Sequence, residues 1–160
     1  MIYDISGRPI PSSLLYARVI ESACEARNFP PCVAYAIANR ETIRGERNGL
    51  WISSTVISSD GGRGLFQLTS SYPSNWEDPL ENTLYAIDHF LAPALHFFAG
   101  KGLRDTSLID IVADAFNEGA SRAESFRASG VSPDIGTTGG DYGRDVVTCY
   151  VSLLEKGVPT

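Results

Sequence analysis

The chain has 160 residues, enough for one domain with a real core, since a fold of that size buries roughly 70% of its unfolded surface. Its net charge of −6 is uneven: residues 1–63 carry seven arginines against six acids, and residues 64–160 carry six bases against thirteen acids. That acidic balance argues against nucleic acid as a partner, and no run of about 18 apolar residues offers a membrane-spanning helix.

Met1 to Pro11 form an N-terminal extension that contains Asp4 and has no basic-then-apolar layout, so no signal peptide is expected there. Ser12 or Ser13 then caps a predicted helix to about Arg27, with Leu15, Val19, Ala23 and Ala26 on one face. A second helix is predicted from about Pro31 to Arg44, with proline in its first turn. Val33, Ile37 and Glu41 recur on it at i, i+4 and i+8, so Glu41 extends a core-facing row by one turn. Burial disfavours an ionised carboxyl and raises its pKa, which suits a general acid near neutral pH. Taken alone, a Glu beside Arg40 and Arg44 reads as a solvated ion pair. Cys24, Cys32 and Cys149 lack metal-ligand spacing and are odd in number, so buried free thiols are expected. Cys24 and Cys32 flank the turn between the two helices, and one bridge between them stays open.

Residues 50–69 change character. Trp51 to Ile57 is β-rich, Gly61, Gly62 and Gly64 follow, and Leu65 to Thr69 closes the segment, which predicts a small β-hairpin lobe. Asp60 in the run Asp60-Gly61-Gly62 reads by itself as a turn residue. Together with Glu41 it supplies the pair of carboxylates on different elements that glycoside hydrolysis uses. Arg40, Arg44, Arg47 and Arg63 surround this region and read either as an anion-facing group or as a solvated face.

Asp78-Pro79-Leu80-Glu81 has the order cap, first-turn proline, acid at the third position, and opens a helix that Pro93 should end or kink. Ser107 with Asp110 opens another, to Asn117, stopped near Gly119. A short helix over 121–129 follows, and Asp141 caps a last one to about Lys156. His89 and His96, two turns apart, fall short of the three or four ligands a metal site wants, so neither a metal nor another cofactor is expected. Trp51 and Trp76 read as core aromatics or as sugar-stacking rings. With no repeat and no linker, residues 1–160 read as one mainly α-helical domain, with the small β lobe at its side and residues 1–11 as the extension.

Four segments, in this order, carry a resemblance. Phe29 to Thr42, with Arg40-Glu41-Thr42 at its end, resembles the catalytic helix of the goose-type lysozyme and lytic transglycosylase superfamily. Gly64-Leu65-Phe66-Gln67-Leu68 is similar to that superfamily's Gly-Leu-Met-Gln segment, and Ala115-Phe116-Asn117-Glu118-Gly119 to its Ala-Tyr-Asn-Ala-Gly. Asp134 to Val147 is similar, nearly residue for residue, to the C-terminal block of the goose-type branch. The resemblance covers about residues 14–156. It implies an α+β lysozyme-like fold in which the β lobe flanks a substrate groove. It also implies cleavage of the β-1,4 bond between N-acetylmuramic acid and N-acetylglucosamine in peptidoglycan.

Carried over by position, the resemblance makes Glu41 the general acid and Asp60 the first of two lobe aspartates that position water. Gln67 and Asn117 fall on groove residues that hold acetamido sugars, and Tyr142 falls beside the catalytic carboxylate. Phe66, Thr69 and Phe116 complete the expected groove. Three departures stand out: Thr69 replaces the second aspartate, Phe116 replaces a tyrosine, and the Glu41–Asp60 separation is longer than usual. If Asp60 lies roughly 6.5–9.5 Å from Glu41, a water fits and inverting hydrolysis follows. Without a second carboxylate in reach, the muramic acid's own 6-hydroxyl closes on the anomeric carbon, as in lytic transglycosylases. A chitin-cleaving enzyme and a wall-binding module without catalysis are the further alternatives. The expected protein is a monomer acting on glycan strands of the bacterial cell wall, with no membrane insertion. Without a signal peptide, it is reached by phage-type release, on a virion, or within a longer exported protein.

Overall fold

The computed structural model describes residues 2–3, 9–10, 15–42, 54–155, 157, 158 and 160. Among these, helix dominates. The strands are two-residue pieces, β1 (Ile2–Tyr3) and β2 (Pro9–Ile10), paired antiparallel with Ile2 opposite Ile10. No helix among the described residues is long and apolar enough to cross a membrane.

Helix α1 (Leu15–Arg27) buries Ile20, Ala23 and Cys24, an i, i+3, i+4 row. Of the face expected from sequence, Val19 is partly buried and Ala26 is exposed, because the buried row centres on Ile20. Ser12 and Ser13, the expected caps, lie outside the described residues.

Helix α2 (Pro31–Glu41) is the centre of the molecule. Pro31 occupies a first-turn position where no amide hydrogen is needed, and every residue from Cys32 to Asn39 is buried. The expected single apolar stripe is therefore corrected: the helix is core on all sides, packed between α1 and the last helix, α7 (Tyr142–Glu155). It stops at Glu41, short of the expected Arg44. Thr42 turns out of helical geometry (φ −129°), gives its amide to the Ala38 carbonyl, and donates its hydroxyl to the Leu65 carbonyl at 2.9 Å. That last bond ties the end of α2 to the next segment of the site.

Residues 54–69 do not form the expected hairpin lobe. Ile57 pairs with Arg63 and Arg63 with Leu68 as isolated bridges within a chain of turns. Positive φ at Gly61 (88°), Gly64 (72°) and Gln67 (48°) breaks any continuous ladder. Buried Asn82 organises the segment instead. Its Oδ1 accepts from the Phe66 amide (2.9 Å), and its Nδ2 donates to the Arg63 and Trp76 carbonyls (3.1 and 3.2 Å). Trp51 lies outside the described residues.

Asn82 stands on α3 (Pro79–Ala86), whose start matches the expectation: Asp78 accepts from the Leu80 and Glu81 amides, with Pro79 in the first turn. Pro93 does not end this helix. The chain widens into a π turn at Ile87–Leu91 and continues as α4 (Ala92–Gly100), so the amide that Pro93 lacks is absorbed by a longer-range bonding pattern. Helix α5 (Asp105–Glu118) begins two residues before Ser107, after extended Arg104 (φ −143°), and ends at Gly119 with φ 96°. Helix α6 (Ala120–Ala128), two short 3₁₀ turns at Pro133–Gly136 and Thr138–Gly140, and α7 complete the chain.

The side chains form two cores. The larger joins α1, α2, Leu65, Phe66 and Leu68, the π turn and α7; the smaller joins Ala94 and Phe98 of α4 to Ile111, Val112 and Ala115 of α5 and to Ala123. Helix α5 serves both, because Ile109 and Ala113 face the first core while Ile111 and Val112 face the second. All three cysteines are buried and free, so the Cys24–Cys32 bridge left open by sequence is not formed.

Candidate active site

Where α2 emerges from the larger core, a cleft of about 450 Å³ opens, lined by Glu41, Asp60, Gln67, Thr69, Phe116, Asn117 and Tyr142 together with Arg40, Ser58, Phe90 and Thr138. Seven of the eight residues singled out from sequence thus meet at one surface. Phe66 does not. It is fully buried, so the groove placement expected for it is corrected: it supports the floor by meeting Phe116 edge-on, ring centres 6.3 Å apart. A phenylalanine between two turn residues gains more by leaving water than by facing a polar cleft.

Glu41 is the last helical residue of α2, and its carboxyl is largely withdrawn from solvent. Burial pushes its pKa up to about 7; the Tyr142 hydroxyl and the Arg40 charge pull it back down, and Asp60 pushes it further up. The Tyr142 hydroxyl donates to Glu41 Oε1. Tyr142 is itself buried, and burial holds its phenol protonated well beyond the ordinary range, so it remains a donor.

Asp60 has the opposite setting. It is exposed, and its carboxylate accepts from the Ser58 hydroxyl and from the Gly62 amide (3.2 Å), bonds that lower its pKa. Near neutral pH the cleft therefore holds one carboxyl poised to keep or release a proton and one that is ionised. Environments that push two carboxyls apart in this way sort them into acid and base.

Arg40 locks the site's two sides together. Its guanidinium donates to Asp145 Oδ2 (2.7 Å), Asp141 Oδ1 (3.2 Å) and the Thr138 carbonyl (3.2 Å), and it lies 5.1 Å from the centre of the Tyr142 ring. The C-terminal end of α2 and the first turn of α7 are thereby held as one unit. Asp141 precedes α7 and its backbone carbonyl accepts the Asp145 amide (3.0 Å), but the carboxylate expected to cap the helix is turned to Arg40.

The polar lining residues are partly committed. Gln67 donates from Nε2 to the Gly64 carbonyl (2.8 Å), and Asn117 Oδ1 accepts from the Thr138 amide (3.0 Å). Asn117 Nδ2 is left to serve a ligand. Phe116 and Phe90 meet edge-on at 6.0 Å and form the apolar wall. Thr69, at the position where the resemblance implies a second carboxylate, is exposed at the rim.

Asn82 and Ser58 serve the site without any mark in the sequence motifs. A buried asparagine on an amphipathic helix gives no local sign that it feeds three backbone groups 6 to 19 residues away. Ser58, two residues before Asp60, is the one signal that a serine–aspartate turn offered. Trp76 lies under the Arg63 guanidinium, 5.4 Å from it, rather than in the cleft. His89 stacks on Tyr85 at 4.0 Å, and both His89 and His96 are exposed. Arg44 and Arg47 lie outside the described residues.

Among the described residues, Asp110, Asp114 and Asp134 form the group whose carboxylate oxygens lie within 4.8 Å of one another, close enough to share an ion. The Gly143 amide and the Arg144 guanidinium already bond Asp114 Oδ1 and both oxygens of Asp134, and they set positive charge beside the place a cation would take. Compared with protein-family models and with curated proteins, the sequence matches none.

Proposed function

We propose that this chain is a peptidoglycan-cleaving glycosidase, a muramidase, with Glu41 as general acid and Asp60 positioning the attacking water. The observation that carries the reading is the Glu41 carboxyl, raised to about 7 by burial, hydrogen-bonded by Tyr142 and opening on a cleft that holds an ionised Asp60. A proton on Glu41 passes to the glycosidic oxygen as positive charge develops on the sugar ring, and Asp60 balances that charge and orients water. Asn117 Nδ2 is suited to an acetamido carbonyl, and the Phe90–Phe116 wall to the apolar face of a sugar. The four-segment resemblance to goose-type lysozymes and lytic transglycosylases supports the peptidoglycan substrate and action as a monomer at the bacterial wall, with the turns of residues 54–69 taking the flanking place expected of a β lobe.

One feature favours a second reading, the lytic transglycosylase. Ser58 and Gly62 both bond Asp60 Oδ1, which leaves Oδ2 alone to meet a water, and Thr69 supplies no second carboxylate. A cleft that helps water this little suits intramolecular attack by the 6-hydroxyl. Digestion of purified peptidoglycan, with the new sugar ends identified by mass spectrometry, separates the two: reducing muramic-acid ends support the hydrolase, 1,6-anhydro ends the transglycosylase. No new ends at any enzyme concentration would refute both.

A further inference from the structure

The first turn of α7 rests on carboxylates. The Gly143 amide donates to Asp114 Oδ1 (3.0 Å) and to Asp134 Oδ1 (2.7 Å), so acids from α5 and from the first 3₁₀ turn meet at one N–H. Asp110, one helical turn before Asp114, completes the group. Asp114 is 1% exposed and Asp134 3%. The cation facing them is Arg144 of α7, with Nε 2.9 Å from Asp134 Oδ2. Glu118 of α5 borders the group, its side chain 2% exposed and paired to Arg122 of α6 at 3.2 Å.

Asp110 Oδ1 and Asp114 Oδ2 are buried and accept no hydrogen bond. Three carboxylates against the one guanidinium of Arg144 leave two negative charges uncompensated, a state that a poorly solvated site resolves by binding protons. A cation would need several of these oxygens at once, against the positive amide end of α7 and beside Arg144, whereas a proton needs only one or two carboxylate oxygens and brings a single charge.

We propose that Asp114 and Asp134 share a proton beneath the first turn of α7, and that through the Gly143 amide this proton positions Tyr142 against Glu41. Tyr142 directly precedes Gly143, and its hydroxyl reaches the Glu41 carboxyl. Losing the shared proton would set two full charges against each other and spread the carboxylates that grip Gly143. Burial, then the charges of Asp134 and Asp110, hold the Asp114 pKa far above the ordinary carboxylate range, and burial and Asp134 push Asp110 up to about 6. The consequence for catalysis rests on the glycosidase reading; the proton and the positioning of Tyr142 do not.

Two measurements that need no substrate test this. The first is thermal unfolding against pH in a Glu41→Gln background, which removes the titration of Glu41. The parent should lose stability as pH rises from about 5 to about 9, because the native state keeps a proton that an unfolded carboxyl, with pKa near 4, has released. Asp114→Asn, whose amide donates permanently to Asp134, should flatten that decline and raise the alkaline melting temperature by about 2–4 °C. Asp134→Asn should flatten it as well, from a lower starting point because the Arg144 pair is lost.

The second measurement is the titration of the Glu41 carboxyl by ¹³C NMR. Asp114→Ala should raise its pKa by about half a unit as the Tyr142 contact loosens, whereas Asp114→Asn should leave it in place. The proposal is overturned if Asp114→Asn declines with pH as steeply as its parent, or if a folded Asp114→Ala leaves Glu41 unmoved. It is also overturned if chelation lowers the melting temperature and calcium restores it. If Asp114→Ala does not fold, the two asparagine variants decide the matter. Absence of wall lysis with both readouts as expected would count against the glycosidase reading alone.

Discussion

The Tyr142 hydroxyl donates to Glu41 Oε1 across 101 residues of sequence, joining the last residue of α2 to the first of α7. This bond opposes the effect of burial. It stabilises the ionised carboxyl and so keeps the Glu41 pKa from rising beyond about 7.

Tyr142→Phe should therefore raise the Glu41 pKa by about one unit, in line with a charge-assisted hydrogen bond of about 1.5–3 kcal/mol less the gain of any replacing water. Only protonated Glu41 can act as an acid, so activity in the parent should fall as pH rises through about 7. In the variant that alkaline limb should move upward while the maximal rate drops. The pH profile of kcat/KM on soluble peptidoglycan fragments checks both; a profile and rate identical to the parent would reduce Tyr142 to a packing element.

Glu41→Gln should lower wall lysis by at least about a hundredfold, since an amide of the same shape has no proton to give. Its fold should be kept. At about pH 8 it should melt no lower than the parent, because the substitution removes a buried carboxyl that is otherwise forced to ionise. Circular dichroism melting beside turbidity clearance of cell walls makes the comparison, and near-normal lysis by the folded variant would take Glu41 out of the reaction.

Asp60→Asn should cut hydrolysis sharply while substrate binding is kept, with the loss in kcat rather than KM. Thr69→Asp, which puts a second carboxylate at the rim, should partly restore it. If the parent yields mainly 1,6-anhydro ends and Asp60→Asn is unimpaired, Asp60 is a turn residue held by Ser58 and Gly62.

Gly64→Ala should destabilise the protein by about 2–4 kcal/mol, from left-handed strain and overpacking together. At φ 72° an added Cβ would stand 2.3 Å from Asn82 Nδ2 and 2.7 Å from the Trp76 carbonyl. Gly61→Ala is the control, with φ 88° and nothing within 4 Å of the added carbon, so only the strain of about 1–2 kcal/mol should appear. Urea unfolding of both variants distinguishes the contributions.

The parts of the fold that were legible in the sequence are those decided within one helical turn. Asp78-Pro79 starts a helix because a carboxylate two residues from a free amide needs no distant partner. Pro93 marked an interruption of the helix without saying of which kind: a break and a π turn satisfy the same missing amide, and packing of α4 on α5 selects the second. Over residues 54–69, the described part of the expected hairpin, three positive φ angles outweighed β-rich composition. For the site, Glu41 was marked by its place on the helix, but the arrival of Tyr142, Asn117 and Thr138 at one cleft depends on contacts more than 20 residues apart. Local periodicity carries no record of these. Phe66 shows the converse: a motif fixed which residues lie near the cleft, and only burial could tell which of them face it.

The π turn at Ile87–Leu91 has a geometric consequence. An α-helix advances about 100° per residue, so one surplus residue in a turn rotates everything downstream by roughly that amount. Ala86, Ile87 and Leu91 point to the larger core, whereas Ala94 and Phe98, on what would otherwise be the same continuous rod, point to the smaller one. The turn works as a phase adjuster: it lets a single helical rod address two cores in succession and leaves Phe90 at the wall of the cleft. Deleting one residue there would bring the rod back into uniform phase, and the two cores could no longer both be filled.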